Sequence, residues 1–144
     1  MKAETDLEQS KKLAAGILPL ESADKYWWSS GKRYYIESMD DGDFNEKEGH
    51  IRAWSLAALM NLLPSEFTER GEYSRTTYRI DIRKHALTRD EDIYQIAYGN
   101  YHWHEDGSCS WLDKISSGEK RELIDAAFEM ICLLKEKKII KYEY

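Results

Sequence analysis

The densest set of side chains able to do chemistry is His102-Trp103-His104-Glu105-Asp106. Side chains on a strand alternate between faces, so an H-x-H spacing puts both imidazoles on one side, where two His can begin a metal site. Glu105, Asp106, His50 or Cys109 would complete the ligand set. The spacing permits a metal without specifying one, because structural zinc patterns ask for more Cys and His at fixed intervals. The plainer account is a strand running into an Asp-Gly turn. In that account His102 and His104 face solvent, while Tyr101 and Trp103 pack inward.

Three other clusters need the same weighing. Asp40, Asp41, Asp43 and Glu46 offer oxygen ligands for a cation, but Gly42 comes too early for an EF-hand loop, and a solvated acidic loop is favoured. Arg75, Arg79 and Arg83 share one face of an alternating run and could meet phosphate or an acidic partner. Six acids accompany six bases between Glu69 and Asp92, so ion pairing across a solvated sheet is the more economical reading. Cys109 with His102 or His104 has the makings of a thiol and base, against the commoner reading of an ordinary strand Cys. The chain lacks a Gly-x-Ser-x-Gly elbow, a phosphate-binding glycine loop and a His-Glu-x-x-His helix, so an enzyme is the minority reading.

Positioning these groups falls to elements with legible signals. Thr5-Asp6-Leu7-Glu8 fits a capping box opening a short helix, with Thr5 as the cap. Leu7, Leu13 and Ala14 give that helix a thin, weakly docking stripe; Gly16 supplies a left-handed stop and Pro19 follows. Tyr26-Trp27-Trp28 and Arg33 to Met39 read as a hairpin joined by Ser29-Ser30-Gly31-Lys32, and Asp40 to His50 as an exposed loop. Ser55 caps a buried helix through Leu56, Leu59, Met60 and Leu63, stapled by Trp54 against Leu59 and ended by Pro64.

Thr76 to Arg83 alternates cleanly and predicts a strand, with Ile93 to Tyr98 as its antiparallel partner. Gly99-Asn100 reads as a bulge, and Asp106-Gly107 as a hairpin turn that returns the chain along Ser108 to Leu112. Ser116-Ser117-Gly118-Glu119 offers a second capping box before the longest helix, whose stripe is Leu123, Ile124, Ala127, Met130, Ile131 and Leu134. Ile139, Ile140, Tyr142 and Tyr144 either form a terminal strand or fray. Short connections between successive strands predict an α+β fold over residues 1–144. Its expected form is a single domain with an antiparallel sheet of four or five strands and two or three helices on one face.

Composition narrows the function classes. A length of 144 residues suffices for a core without metal or disulfide staples. With 33% charged residues and a mean hydropathy of -0.72, that core must draw on the ten Tyr, five Trp and three Phe. The longest nearly apolar run, Leu56 to Leu63, is too short to span a bilayer, and Met1 to Lys12 lacks the pattern of a secretory signal. Cys109 and Cys132 read as free thiols in a reducing, cytoplasmic setting. A net charge of -6 argues against a dedicated nucleic-acid binder; the acids concentrate from Glu37 to Glu48, where six stand against Lys47 alone.

Several phrases, in matching order over most of the chain, resemble a group of short proteins from Bacteroides-group gut anaerobes, often encoded on prophages or mobile elements. They are Lys12-Leu13 with Gly16-Ile17-Leu18-Pro19, Ala23-Asp24, Ala53-Trp54-Ser55-Leu56 with Leu59, and Leu62-Leu63-Pro64. Gly71 before a Tyr-containing strand and Leu123-Ile124-Asp125-Ala126 with Glu129-Met130 complete the set. The resemblance implies a compact domain in a mobile-element context and transfers no cofactor, active site or functional residue. Tyr101 to Asp106 falls outside it. The sequence therefore favours a non-enzymatic module that binds a protein partner through exposed aromatics or the acidic loop, with no cofactor. The alternative is a metal-dependent protein built on His102 and His104.

Overall fold

The computed structural model describes residues 1–140; Tyr142 and Tyr144 of the expected terminal strand lie outside them. The α+β expectation holds, with seven strands divided between two antiparallel sheets. The smaller sheet has the order β2-β1-β3, from β1 (Lys25–Ser29), β2 (Tyr34–Ser38) and β3 (Ile51–Ala53). The larger is a meander of β4 (Glu66–Arg70), β5 (Arg75–Ala86), β6 (Asp92–Trp103) and β7 (Cys109–Ser116). Helices α1 (Leu7–Lys12), α2 (Leu56–Leu62) and α3 (Leu123–Glu136) complete the fold. Among the described residues, no helix is long and apolar enough to cross a membrane.

Local signals explain most boundaries. Gly31, at φ +93°, turns the β1–β2 hairpin, and the Ser30 N–H donates to the Arg33 carbonyl at 3.1 Å. Ser55 caps α2 by accepting from the Ala58 N–H at 3.1 Å, and the helix stops at Leu62, before Pro64. Trp54 and Leu59 are both fully buried, as a staple across that cap requires. The Pro64 carbonyl then accepts a 2.6 Å hydrogen bond from the Tyr98 hydroxyl, tying the end of α2 to the centre of β6.

Both predicted capping boxes need correction. At α1 the cap is Asp6, not Thr5: its carboxylate accepts from the Gln9 N–H at 2.8 Å, and the Gln9 side chain accepts from the Asp6 N–H at 3.1 Å. Thr5 is fully buried, its hydroxyl 2.7 Å from that of Ser10 and accepting from the Trp54 N–H at 3.1 Å. Leu13, just past α1, is also fully buried, so this helix docks firmly rather than weakly. Ser116-Ser117 starts no helix, because the edge of β6 claims it first. Ser117 accepts from the Ile96 N–H on its hydroxyl and donates its own N–H to the Ile96 carbonyl, and Lys120 bridges to Tyr94. Helix α3 therefore begins at Leu123, without a side-chain cap.

The main core gathers Leu13, Leu18, Trp54 and Leu59 with Ile96 and Tyr98 of β6 and Ile124, Met130, Ile131 and Leu134 of α3. Each such side chain, removed from water, contributes about 1.5–3 kcal/mol. The N-terminus is pinned to α3 by Lys2, whose ammonium lies 2.7 Å from Asp125, 3.0 Å from Asp6 and 3.0 Å from the Gln9 amide oxygen. Partial burial opposes the charge on Lys2, but the two carboxylates outweigh it and raise its pKa. Ile139 and Ile140 form no strand; Ile140 folds back into the core.

Candidate functional site

Length decides where the larger sheet is covered. Strands β5 and β6 have 12 residues each, about 40 Å, whereas the 14-residue α3 packed on β6 spans about 21 Å. The strands must outrun their cover. The inner face of the sheet holds Ile80 of β5, Ile96 and Tyr98 of β6 and Ile115 of β7, packed into or against the core. The outer face is set by the register Glu66↔Arg79, Arg79↔Gly99 and Gly99↔Asp113, and among the described residues it carries no helix.

The predicted bulge lies at this point, between Tyr98 and Gly99. Tyr98 pairs with Ile115 and Gly99 with Asp113, leaving Lys114 as the extra residue. Gly99 is needed for close approach: a Cβ there would collide with the Leu112 carbonyl oxygen and the Trp111 indole. The indole N–H of Trp111 donates to Asp113 at 2.7 Å, and its ring meets Tyr101 edge-on at 5.2 Å. Asp113 also accepts two hydrogen bonds from Arg83, one of them at 2.9 Å, and Arg83 binds Asp81 at 2.7 Å. Arg83 holds the Asp113 carboxyl below the usual carboxylate range, and the two carboxylates push the Arg83 pKa upward. The cross-strand ion pairing expected of the Arg face is thus present, with Arg79 also 3.8 Å from Glu66.

Beyond the bulge both hairpins project past the core. Tyr73 is 94% exposed at the β4–β5 tip; Trp103 is 76%, Tyr101 64% and Leu112 52% exposed on the β6–β7 hairpin. The expectation that Tyr101 and Trp103 pack inward is therefore overturned, because neither face of the sheet is covered so far from α3. Thr77, Arg79, Asn100, Tyr101 and Trp111 line a cleft of about 240 Å³ here. The hydroxyls of Thr68 and Thr77, 3.0 Å apart, fix the outer side of β4 and β5 beside it.

His102 and His104 alternate with Tyr101 and Trp103 and so fall on the opposite face, both exposed. His104 Nε2 lies 2.8 Å from the Ser110 hydroxyl. Among the described residues, no three His, Cys, Asp or Glu side chains form a group able to hold a metal ion. Cys109 is paired with Trp103 and shares its face, so strand alternation separates the thiol from both imidazoles. His50 lies elsewhere, stacked on Tyr26 at 5.1 Å, with Nδ1 accepting from the Asn45 N–H at 3.0 Å. Asp40, Asp41, Asp43 and Glu46 are exposed in the loop before β3, where Glu46 pairs with Arg52 at 3.2 Å.

Trp111, the residue that organises the cleft, has no counterpart in the sequence reading beyond the Gly99 bulge, which moves it onto the outer face. No family model, curated protein or solved structure matches the chain.

Proposed function

We propose that the protein is a non-catalytic interaction module that holds a macromolecular partner on the outer face of its larger sheet. The observation that carries this is the exposure of Tyr101 and Trp103 on the β6–β7 hairpin and of Tyr73 at the β4–β5 tip, on a scaffold anchored by a hydrophobic core. Exposed large apolar groups cost solubility and add nothing to this core, and Trp, Tyr and Arg dominate the energetics of binding surfaces. Strand pairing within each hairpin also orders the backbone that carries these side chains before binding, which lowers the entropic cost of association. Two free cysteines accord with action in a reducing compartment, and the resemblance to mobile-element proteins supplies the context.

The test compares affinity capture by the wild type with capture by the Tyr101→Ala/Trp103→Ala double variant, both checked for equal melting temperature. A partner held by the wild type and lost by the variant supports the reading. Equal retention by both proteins, or no partner at all, overturns it.

A further inference from the structure

We infer that a second copy of this chain pairs with β2, joining two smaller sheets edge to edge about a twofold axis through Tyr35. Strand β2 ends its sheet, with β1 on one side and, among the described residues, no strand on the other. Two hydrogen bonds fix which of its backbone groups are free. The Ser30 N–H donates to the Arg33 carbonyl, and the Met39 N–H to the Asp24 carbonyl. Antiparallel ladders alternate, so Arg33, Tyr35 and Glu37 direct their backbone groups at β1, while Tyr34 and Ile36 direct theirs outward. Among the described residues nothing meets those outward groups. Natural edges are blunted by shortness, by charge or by a bulge. Strand β3 has three residues, β4 carries Glu66, Glu69 and Arg70, and β7 is bulged at Lys114. Strand β2 instead opens on three consecutive apolar residues, Tyr34, Tyr35 and Ile36, the tyrosines 45% and 40% exposed.

Charge selects the occupant and its direction. Lys32 and Arg33 precede the apolar run, and Glu37, Asp40 and Asp41 follow it. Parallel copies set like charges side by side, whereas antiparallel copies set each basic end against an acidic one. An unrelated strand has no reason to carry the reverse order; a second copy carries it by symmetry. With Tyr35 opposite Tyr35, the outward groups of Tyr34 exchange hydrogen bonds with those of Ile36 in the other copy, and Arg33 faces Glu37 at both ends of the pairing. Arg33 is exposed and has no ion pair or side-chain hydrogen bond among the described residues. Glu37 accepts from the Tyr26 hydroxyl at 2.8 Å on Oε2, which leaves Oε1 for a guanidinium. Tyr35 is held by stacking on Trp28 at 4.7 Å and meets its own copy at a position where facing side chains come closest. The charge of -6 on each chain opposes association at long range. Salt screens that repulsion beyond about 8 Å, while contacts across a strand edge act over about 5 Å. This pairing uses the smaller sheet, not the β6–β7 hairpin, so it stands or falls apart from the surface that carries Tyr101 and Trp103.

The experiment is sedimentation velocity on the purified full chain in physiological salt, from about 1 to 500 µM. A single short edge is a small interface, so the expected result is a monomer–dimer equilibrium with a dissociation constant of about 1–100 µM. Ile36→Pro removes an outward N–H that the sheet itself does not use, a place where an edge strand tolerates proline, and should weaken dimerisation at least about tenfold. Arg33→Glu and Glu37→Arg each turn both facing pairs from attraction into repulsion and should each weaken it about tenfold. Mixing those two variants sets glutamate against arginine at both ends again and should restore association to within about threefold of the wild type. Circular dichroism establishes that each variant is folded. A monomer throughout the concentration range, dimerisation indifferent to Ile36→Pro, or a mixture that associates no better than its components overturns the inference.

Discussion

Arg83 on β5 reaches across β6 to clasp Asp113 on β7, with the guanidinium meeting both carboxylate oxygens. The reach is possible because the β6 residues between them include Ala97 and Gly99, too small to intervene; Ala97 is fully buried beneath the pair yet lies outside the main core. This clasp locks the register beyond the bulge and orients Trp111 through the shared carboxylate.

Asp113→Asn should cost about 1–2 kcal/mol at neutral pH, a charge-assisted hydrogen-bond loss in a partly exposed site. The hydrogen bond from Arg83 lowers the Asp113 pKa in the folded state, so as pH falls the unfolded chain takes up the proton first. Its stabilisation is therefore present above the unfolded carboxylate pKa of about 4 and lost as pH drops through the lower folded value. Urea unfolding from pH 7 downward should show a shallower acid limb in the variant than in the wild type.

Gly99→Ala should destabilise by at least about 2 kcal/mol, because the methyl group meets the Leu112 backbone and the Trp111 ring rather than a flexible side-chain end. An unchanged denaturation midpoint would show that β7 does not approach β6 as described.

Thr5→Val keeps the shape and removes the hydroxyl that accepts from the Trp54 N–H and meets Ser10. The Ser10 hydroxyl keeps the Thr5 carbonyl, but leaving the buried Trp54 N–H unpaired should cost about 1–3 kcal/mol. Thermal melting checks it, with Asp6→Ala, which removes the helix cap, expected to cost about 1 kcal/mol for comparison.

The two thiols should react with a disulfide reagent in separate phases. Cys109 is exposed, whereas Cys132 is half-buried and burial raises its pKa, so less thiolate is present at neutral pH. Cys109→Ser should abolish the fast phase and spare the slow one.

Among the five tryptophans, Trp54 and Trp103 mark the extremes of burial and exposure. Trp54→Ala should cost about 3–5 kcal/mol, and Trp103→Ala should stay within about 0.5 kcal/mol of the wild type. Equal costs would contradict the burial that separates core from platform.

The sequence alone determined whatever depends on neighbours along the chain. Pro64 ends α2 because it has no N–H to give, Ser55 begins it, Gly31 and Gly107 turn their hairpins at positive φ, and alternation from Thr76 lays out β5. The tertiary structure alone decided which of several chemically able groups received each partner. Thr5 and Ser117 have the side chains of helix caps, but Trp54 and Ile96 supplied buried backbone donors whose orphaning would cost more. Alternation likewise states that Tyr101 and Trp103 share a face, not whether anything covers it. That depends on where a 14-residue helix ends against two 12-residue strands, a comparison no local pattern contains.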